Sequence, residues 1–123
     1  MNLLVVDDSK AMRMIVKRTL RQAGYGDATV QEASNGKEAL DALDGFDADL
    51  VLCDWNMPGI NGVELLRQIR SVDPNVPFLM VTGRDDIESV VEAKASGVTA
   101  YIRKPFSSAQ LEAKLRIVAR KVE

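Results

Sequence analysis

The chain contains three short uninterrupted apolar runs, Leu3-Leu4-Val5-Val6, Leu50-Val51-Leu52-Cys53 and Phe78-Leu79-Met80-Val81. Each is about the length of a strand buried on both faces, so together they predict the centre of a sheet. Two weaker segments, Thr29-Val30-Gln31-Glu32-Ala33 and Thr99-Ala100-Tyr101-Ile102-Arg103, alternate polar with apolar residues. Alternation of that kind suits strands with one wetted face and predicts the sheet edges. Between the runs the apolar period lengthens to that of helices. After Ser9, the residues Met12, Ile15, Val16, Leu20 and Ala23 recur opposite Arg13, Lys17, Arg18 and Arg21, and Gly24 supplies a stop. Ala39, Leu40 and Leu43 predict a short second helix ending at Gly45, with Gly36 a turn residue beside Asn35.

Capping residues predict the other three helices. Asn61 with Glu64 opens a third, carried by Leu65, Leu66 and Ile69 and stopped before Pro74. Asp85 with Glu88 opens a fourth containing Ile87, Val90 and Val91 and closed by Gly97, and Ser107 with Gln110 opens a fifth containing Leu111, Leu115, Val118 and Val122. Five strands alternating with five helices predict an α/β fold. The expected form is a doubly wound, flavodoxin-like parallel sheet of order 2-1-3-4-5 in one domain over residues 1–123, with all strand C-termini on one rim.

Composition narrows the chemistry. At 123 residues the chain has room for one ordinary domain and a core that needs no staples. Sixteen Lys and Arg against eighteen Asp and Glu give a net charge of -2, which argues against a nucleic-acid partner. With no histidine and one cysteine, catalytic triads, Cys/His zinc sites and intramolecular disulfides drop out. Cys53, inside an apolar run, reads as a small buried hydrophobe. The four apolar residues ahead of Asp7 are too short a run for a signal peptide or membrane span, so a cytoplasmic protein with no membrane partner is expected. Met1 just ahead of the first strand and an end one helix past Phe106 suggest a complete stand-alone protein. Gly24-Tyr25-Gly26 starts like a dinucleotide fingerprint but precedes a strand, and Gly36-Lys37 lacks the rest of a phosphate loop.

Polar residues gather at the expected rim. Asp7 and Asp8 follow the first strand, Asp54 the third and Thr82 the fourth, with Lys104 just past the fifth. One such residue alone is a turn former or helix cap, but five on the rim where strand order reverses point to a ligand site. Three carboxylates there repel pairwise by roughly 3 kcal/mol at ~5 Å and an effective dielectric of ~20. Lys104 cannot balance three, and an all-oxygen donor set favours a hard divalent ion, Mg²⁺ best of all. Mg²⁺, a lysine and a hydroxyl around a carboxylate suit phosphoryl transfer, with Asp54 the candidate nucleophile and Thr82 and Lys104 on the phosphoryl oxygens. Trp55, beside Asp54, is expected to expose part of its ring, and Met12 and Met14 read as core or helix filler.

The segments Val5-Val6-Asp7-Asp8-Ser9, Asp54-Trp55-Asn56-Met57-Pro58-Gly59, Val81-Thr82-Gly83 and Tyr101-Ile102-Arg103-Lys104-Pro105-Phe106 together resemble the receiver domain of two-component response regulators, and within that family the stand-alone chemotaxis regulators most. The resemblance spans essentially the whole chain. It implies that Asp7 and Asp8 hold Mg²⁺ with Asp54 and the backbone carbonyl of Asn56. It also implies that Asp54 takes a phosphoryl group from a histidine kinase's phosphohistidine, while Thr82 and Tyr101 shift to report it. An output partner such as a flagellar motor switch component, a phosphatase partner, a monomeric state and a cis Lys104–Pro105 bond are implied likewise. Arg84 departs from the pattern, since chemotaxis members often carry an acid two residues past the threonine. The rival readings are a receiver in another phosphorelay and a haloacid-dehalogenase-type phosphatase. The latter would place its Asp-x-Asp motif after the first strand and carry a cap domain that this length does not hold. An FMN carrier is disfavoured by six aromatics in all and no Ser/Thr-rich loop after the first strand.

Overall fold

The computed structural model describes residues 1–84 and 86–122, with the side chains of 119–122 left aside. The elements alternate along the chain as β1 (Asn2–Val6), α1 (Lys10–Gln22), β2 (Thr29–Ala33), α2 (Gly36–Leu43), β3 (Leu50–Asp54), α3 (Gly62–Val72), β4 (Phe78–Thr82), α4 (Ile87–Ala95), β5 (Ala100–Arg103) and α5 (Ser108–Val122). All strand pairs are parallel and the order is β2-β1-β3-β4-β5, as the apolar pattern predicts. β3 and β4 are buried along their whole length, whereas β2 and β5 keep exposed positions, which is the difference between continuous and alternating runs.

Strand alternation divides the core in two. Leu4, Val6, Val51, Cys53, Phe78 and Met80 face one side and meet Ala39 of α2, Leu66 and Ile69 of α3 and Ala93 of α4. Leu3, Val5, Leu50, Leu52, Leu79 and Val81 face the other and meet Val16 and Leu20 of α1 and Leu111, Leu115 and Val118 of α5. Every β-strand therefore ends on the same rim between the two layers.

The helix starts show where local chemistry overrides spacing. Ser9 caps α1 by accepting from the Met12 amide, and Asn61 and Glu64 form the expected capping box of α3. Ser107 and Gln110 close the same reciprocal pair ahead of α5. The α4 cap is Asp86, whose carboxylate accepts from the Ser89 amide and hydroxyl. Asp85, the expected cap, lies outside the described residues, as does the Val122 side chain. α2 begins earlier than a turn at Gly36 would allow, because Asn35 accepts from the Glu38 amide and Gly36 becomes the first helical residue. Ile15, placed in the α1 core by spacing, is 50% exposed, and Met14 is 59% exposed, while Met12 packs against the core.

Candidate functional site

Register alone brings the rim acids together. Val6 is paired with Cys53, so the next residues, Asp7 and Asp54, emerge side by side from adjacent strands. Asp54 is itself paired with Val81, and Thr82 with Arg103, which carries the row on to Lys104. Asp54 and Thr82 are the last residues of their strands and do not follow them. Their side chains alternate to opposite faces, and Thr82 shares the α4 side with Met80 and Tyr101.

One carboxylate oxygen from each of Asp7, Asp8 and Asp54 lies within 4.8 Å of the others. Asp7 and Asp54 are buried and Asp8 is exposed. Lys104 Nζ sits between the two buried acids, 3.2 Å from Asp7 Oδ2 and 3.3 Å from Asp54 Oδ1. Asp7 is further held by the Ser9 amide on Oδ1 and by Arg13, which donates to its backbone carbonyl at 2.6 Å. Burial raises the Asp54 carboxyl above the ordinary range; Lys104 opposes that shift and the neighbouring Asp7 charge adds to it. The main chain of Lys104 is fixed by its amide, which donates to the Thr82 carbonyl at 2.7 Å, and the Lys104–Pro105 peptide bond is cis.

The floor of the site depends on a glycine. A Cβ on Gly62 would lie 2.4 Å from the Asp54 carbonyl oxygen and 2.9 Å from the Trp55 Cα. The absent side chain lets the first turn of α3 close onto the end of β3, where the Gly62 amide donates to the Trp55 carbonyl at 2.8 Å.

Thr82 is fully buried, and its Oγ1 accepts from the Arg84 amide at 3.1 Å, leaving the hydroxyl proton for another acceptor. Tyr101 is half-buried against the α4-side core, and its hydroxyl donates to the Arg84 backbone carbonyl. Asn56 is exposed, with its amide oxygen accepting from Arg84 at 3.3 Å. Trp55 corrects an expectation: it is only 3% exposed, because alternation past Cys53 turns the ring into the α3-side core and the Arg84 guanidinium covers it at 5.1 Å from the centroid. Cys53 is the buried thiol expected, pushed to a high pKa chiefly by burial and then by the Asp54 and Asp7 charges. The donors that converge are all oxygens, two of them from buried carboxylates that share a single lysine, which is the chemistry of a hard divalent cation. Sequence reasoning missed Arg13, which lies within α1, and singled out Arg84 only as a departure from the family pattern, not for its contacts with Trp55 and Asn56.

The model of the response regulator receiver domain matches residues 3–116. The chain belongs to that family, a class of signalling domains distinct from the classical enzyme families. Among curated relatives it is 44% identical to the chemotaxis protein CheY-3 of Vibrio cholerae, over 94% of this chain and 88% of that one. It is 43% identical to the chemotaxis protein CheY1 of Helicobacter pylori, over 96% of each. The solved structure of the V. cholerae chemotaxis protein CheY4 superposes with a TM-score of 0.86 at 35% identity, covering 95% of this chain and 97% of that one. No helix among the described residues is long and apolar enough to cross a membrane.

Proposed function

We propose that the chain, as a single receiver unit over residues 1–123, is a cytoplasmic phosphorylation switch acting in chemotaxis. The observation that carries this reading is the pair of buried carboxylates of Asp7 and Asp54 bridged by Lys104 Nζ at 3.2 and 3.3 Å. Lys104 thus sets both carboxylates side by side at one point of the rim.

Asp7, Asp8, Asp54 and the Asn56 backbone carbonyl are the groups that would hold Mg²⁺. When bound, that ion supplies the positive charge that three acids and one lysine lack, and neutralises phosphoryl oxygens. An Asp54 carboxylate oxygen attacks the phosphorus of a phosphohistidine on a sensor kinase. The phosphorus–nitrogen bond breaks, and the imidazole leaves with the electron pair and takes up a proton. Lys104 stays beside the transferred group as a fixed cation, and the Thr82 hydroxyl donates its proton to a phosphoryl oxygen. The chain has no histidine, so the phosphodonor is another protein.

The signal leaves through the face made by α4, β5 and α5. A groove of about 720 Å³ there is lined by Val90, Tyr101, Arg103, Gln110 and Lys114, among others. Ile87 and Val91, one turn apart on α4, are 81% and 57% exposed beside it. Thr82 and Tyr101 share this side of the sheet, and in this reading both shift when Asp54 carries the phosphoryl group. An output protein, with a flagellar motor switch component the first candidate, would read the difference. The test is incubation with acetyl phosphate and Mg²⁺ followed by intact-mass measurement. One labile phosphoryl group should appear on the wild type and none on Asp54→Asn; full labelling of Asp54→Asn would move the nucleophile elsewhere.

A further inference from the structure

Arg84 makes contacts in four directions. Its amide donates to Thr82 Oγ1 at 3.1 Å, and its carbonyl accepts from the Tyr101 hydroxyl. Its guanidinium lies 5.1 Å from the Trp55 ring centroid and donates to Asn56 Oδ1 at 3.3 Å. Trp55 and Asn56 follow Asp54 directly, Thr82 ends β4 and Tyr101 lies in β5, so one residue touches three strands' worth of the rim.

We propose that Arg84 is a positioning residue for Tyr101: its side chain, clamped between the Trp55 ring and the Asn56 amide, fixes the backbone carbonyl on which the Tyr101 hydroxyl sits. Backbone and side chain of Arg84 do different work. Any residue at position 84 offers an amide to Thr82 and a carbonyl to Tyr101, but a residue held at its amide alone can still turn about its N–Cα bond and carry its carbonyl carbon away. A second anchor through the same residue's side chain holds Cβ in place and so removes the turn about N–Cα. Arginine suits the task because its planar cation can lie over an indole face while an edge N–H reaches an amide oxygen. The clamp also has a direction. Its far end is on Trp55 and Asn56, so whatever repositions the chain just past Asp54 pulls on the residue that seats Tyr101. Reciprocity then requires that a partner favouring the seated ring also favours the arrangement at Asp54. Tyr101 matters here as the reporter named in the proposed switch, and that is the only point at which this inference rests on that reading.

The experiment uses the two tyrosines. With 3-fluorotyrosine in the full chain, Tyr101 and Tyr25 give two ¹⁹F resonances, and Tyr25 serves as an internal control for the fold. Spectra are taken without magnesium or phosphodonor, so the result is independent of whether Asp54 accepts a phosphoryl group, which the mass measurement decides. In Arg84→Ala the Tyr101 resonance should move toward its urea-unfolded position while Tyr25 stays in place. Arg84→Lys, which keeps a cation for the Trp55 face, should lie between Arg84→Ala and the wild type. The proposal is overturned if Tyr101 stays at its native position in Arg84→Ala, if Tyr25 moves with it, or if Arg84→Lys behaves as Arg84→Ala does.

Discussion

Replacing Asp54 by asparagine in magnesium-free buffer should make the protein more stable, and the sign follows from the site's geometry. At an effective dielectric of about 20, the Lys104 contact at 3.3 Å favours ionised Asp54 by about 5 kcal/mol. Repulsion from Asp7, with oxygens within 4.8 Å, opposes it by about 3.5 kcal/mol, and exposed Asp8 adds a smaller, screened amount. The Coulombic contributions thus nearly cancel, and the removal of a mostly buried charge from water decides the outcome. This agrees with the upward displacement of the Asp54 pKa, whose largest cause is burial. Asparagine keeps the shape and leaves Lys104 paired with Asp7, so Asp54→Asn should gain about 1–2 kcal/mol at pH 7. For a chain of this size that corresponds to roughly 4–8 °C in melting temperature. A raised folded-state pKa means that the native protein binds the proton more tightly than the unfolded one. Stability therefore falls as pH rises from the ordinary aspartate value of 3.8 through the folded value, and the advantage of the variant grows over that interval. Below pH 3.8 the acid is protonated in both states and the advantage should vanish. Urea unfolding in EDTA at a series of pH values reads both effects. A variant less stable than the wild type at pH 7, or an advantage that grows on acidification, would refute the reasoning.

Magnesium should reverse that ranking: at a hundredfold excess over its dissociation constant it should stabilise the wild type by about 2.7 kcal/mol, and Asp54→Asn by less. Trp55 is the one tryptophan and adjoins Asp54, so its emission should change on the same titration, and an unchanged emission with no calorimetric heat would count against the metal site. Gly62→Ala should lose about 2–3 kcal/mol in urea unfolding, since a Cβ 2.4 Å from the Asp54 carbonyl oxygen meets backbone that cannot yield; a neutral result would mean that α3 can slide. Beryllofluoride should shift amide resonances around Val90, Tyr101 and Lys104, and Tyr101→Ala should weaken the phosphorylation dependence of partner binding. Shifts confined to the residues around the carboxylates, or an unaltered dependence, would disconnect the α4–β5–α5 face from Asp54.

The order of strands was legible because it depends on burial, and burial depends on how continuous an apolar run is. Leu50-Val51-Leu52-Cys53 could be placed in the sheet centre and Thr29-Val30-Gln31-Glu32-Ala33 at an edge without any knowledge of contacts. The acids were legible for the same reason, since a polar residue ending a buried strand in a parallel sheet has only the rim to go to. Boundaries that rest on hydrogen-bond competition were less legible. Asp85 and Asp86 are chemically equivalent N-caps on paper, and spacing alone does not single out Asp86, which accepts from the Ser89 amide. Ile15 fits the apolar period of α1 yet faces outward, because Val16 and Leu20 already fill the space over β1 and β3.

Trp55 shows why a site's surroundings are harder to read than its ligands. Position beside Asp54 suggested exposure, but exposure depends on what covers the ring, and the cover is Arg84, twenty-nine positions further along the chain. Nothing in the local sequence links the two. The link becomes visible only when the sheet register sets the ends of β3 and β4 side by side, since Asp54 opposite Val81 brings Trp55 and Asn56 next to the chain that follows Thr82. The carboxylates follow from each strand separately, whereas the contacts that would carry a signal away from them belong to pairs of loops. Residues placed between loops are therefore legible only after the register is known, and Arg84, proposed here as the residue that seats Tyr101, is of that kind.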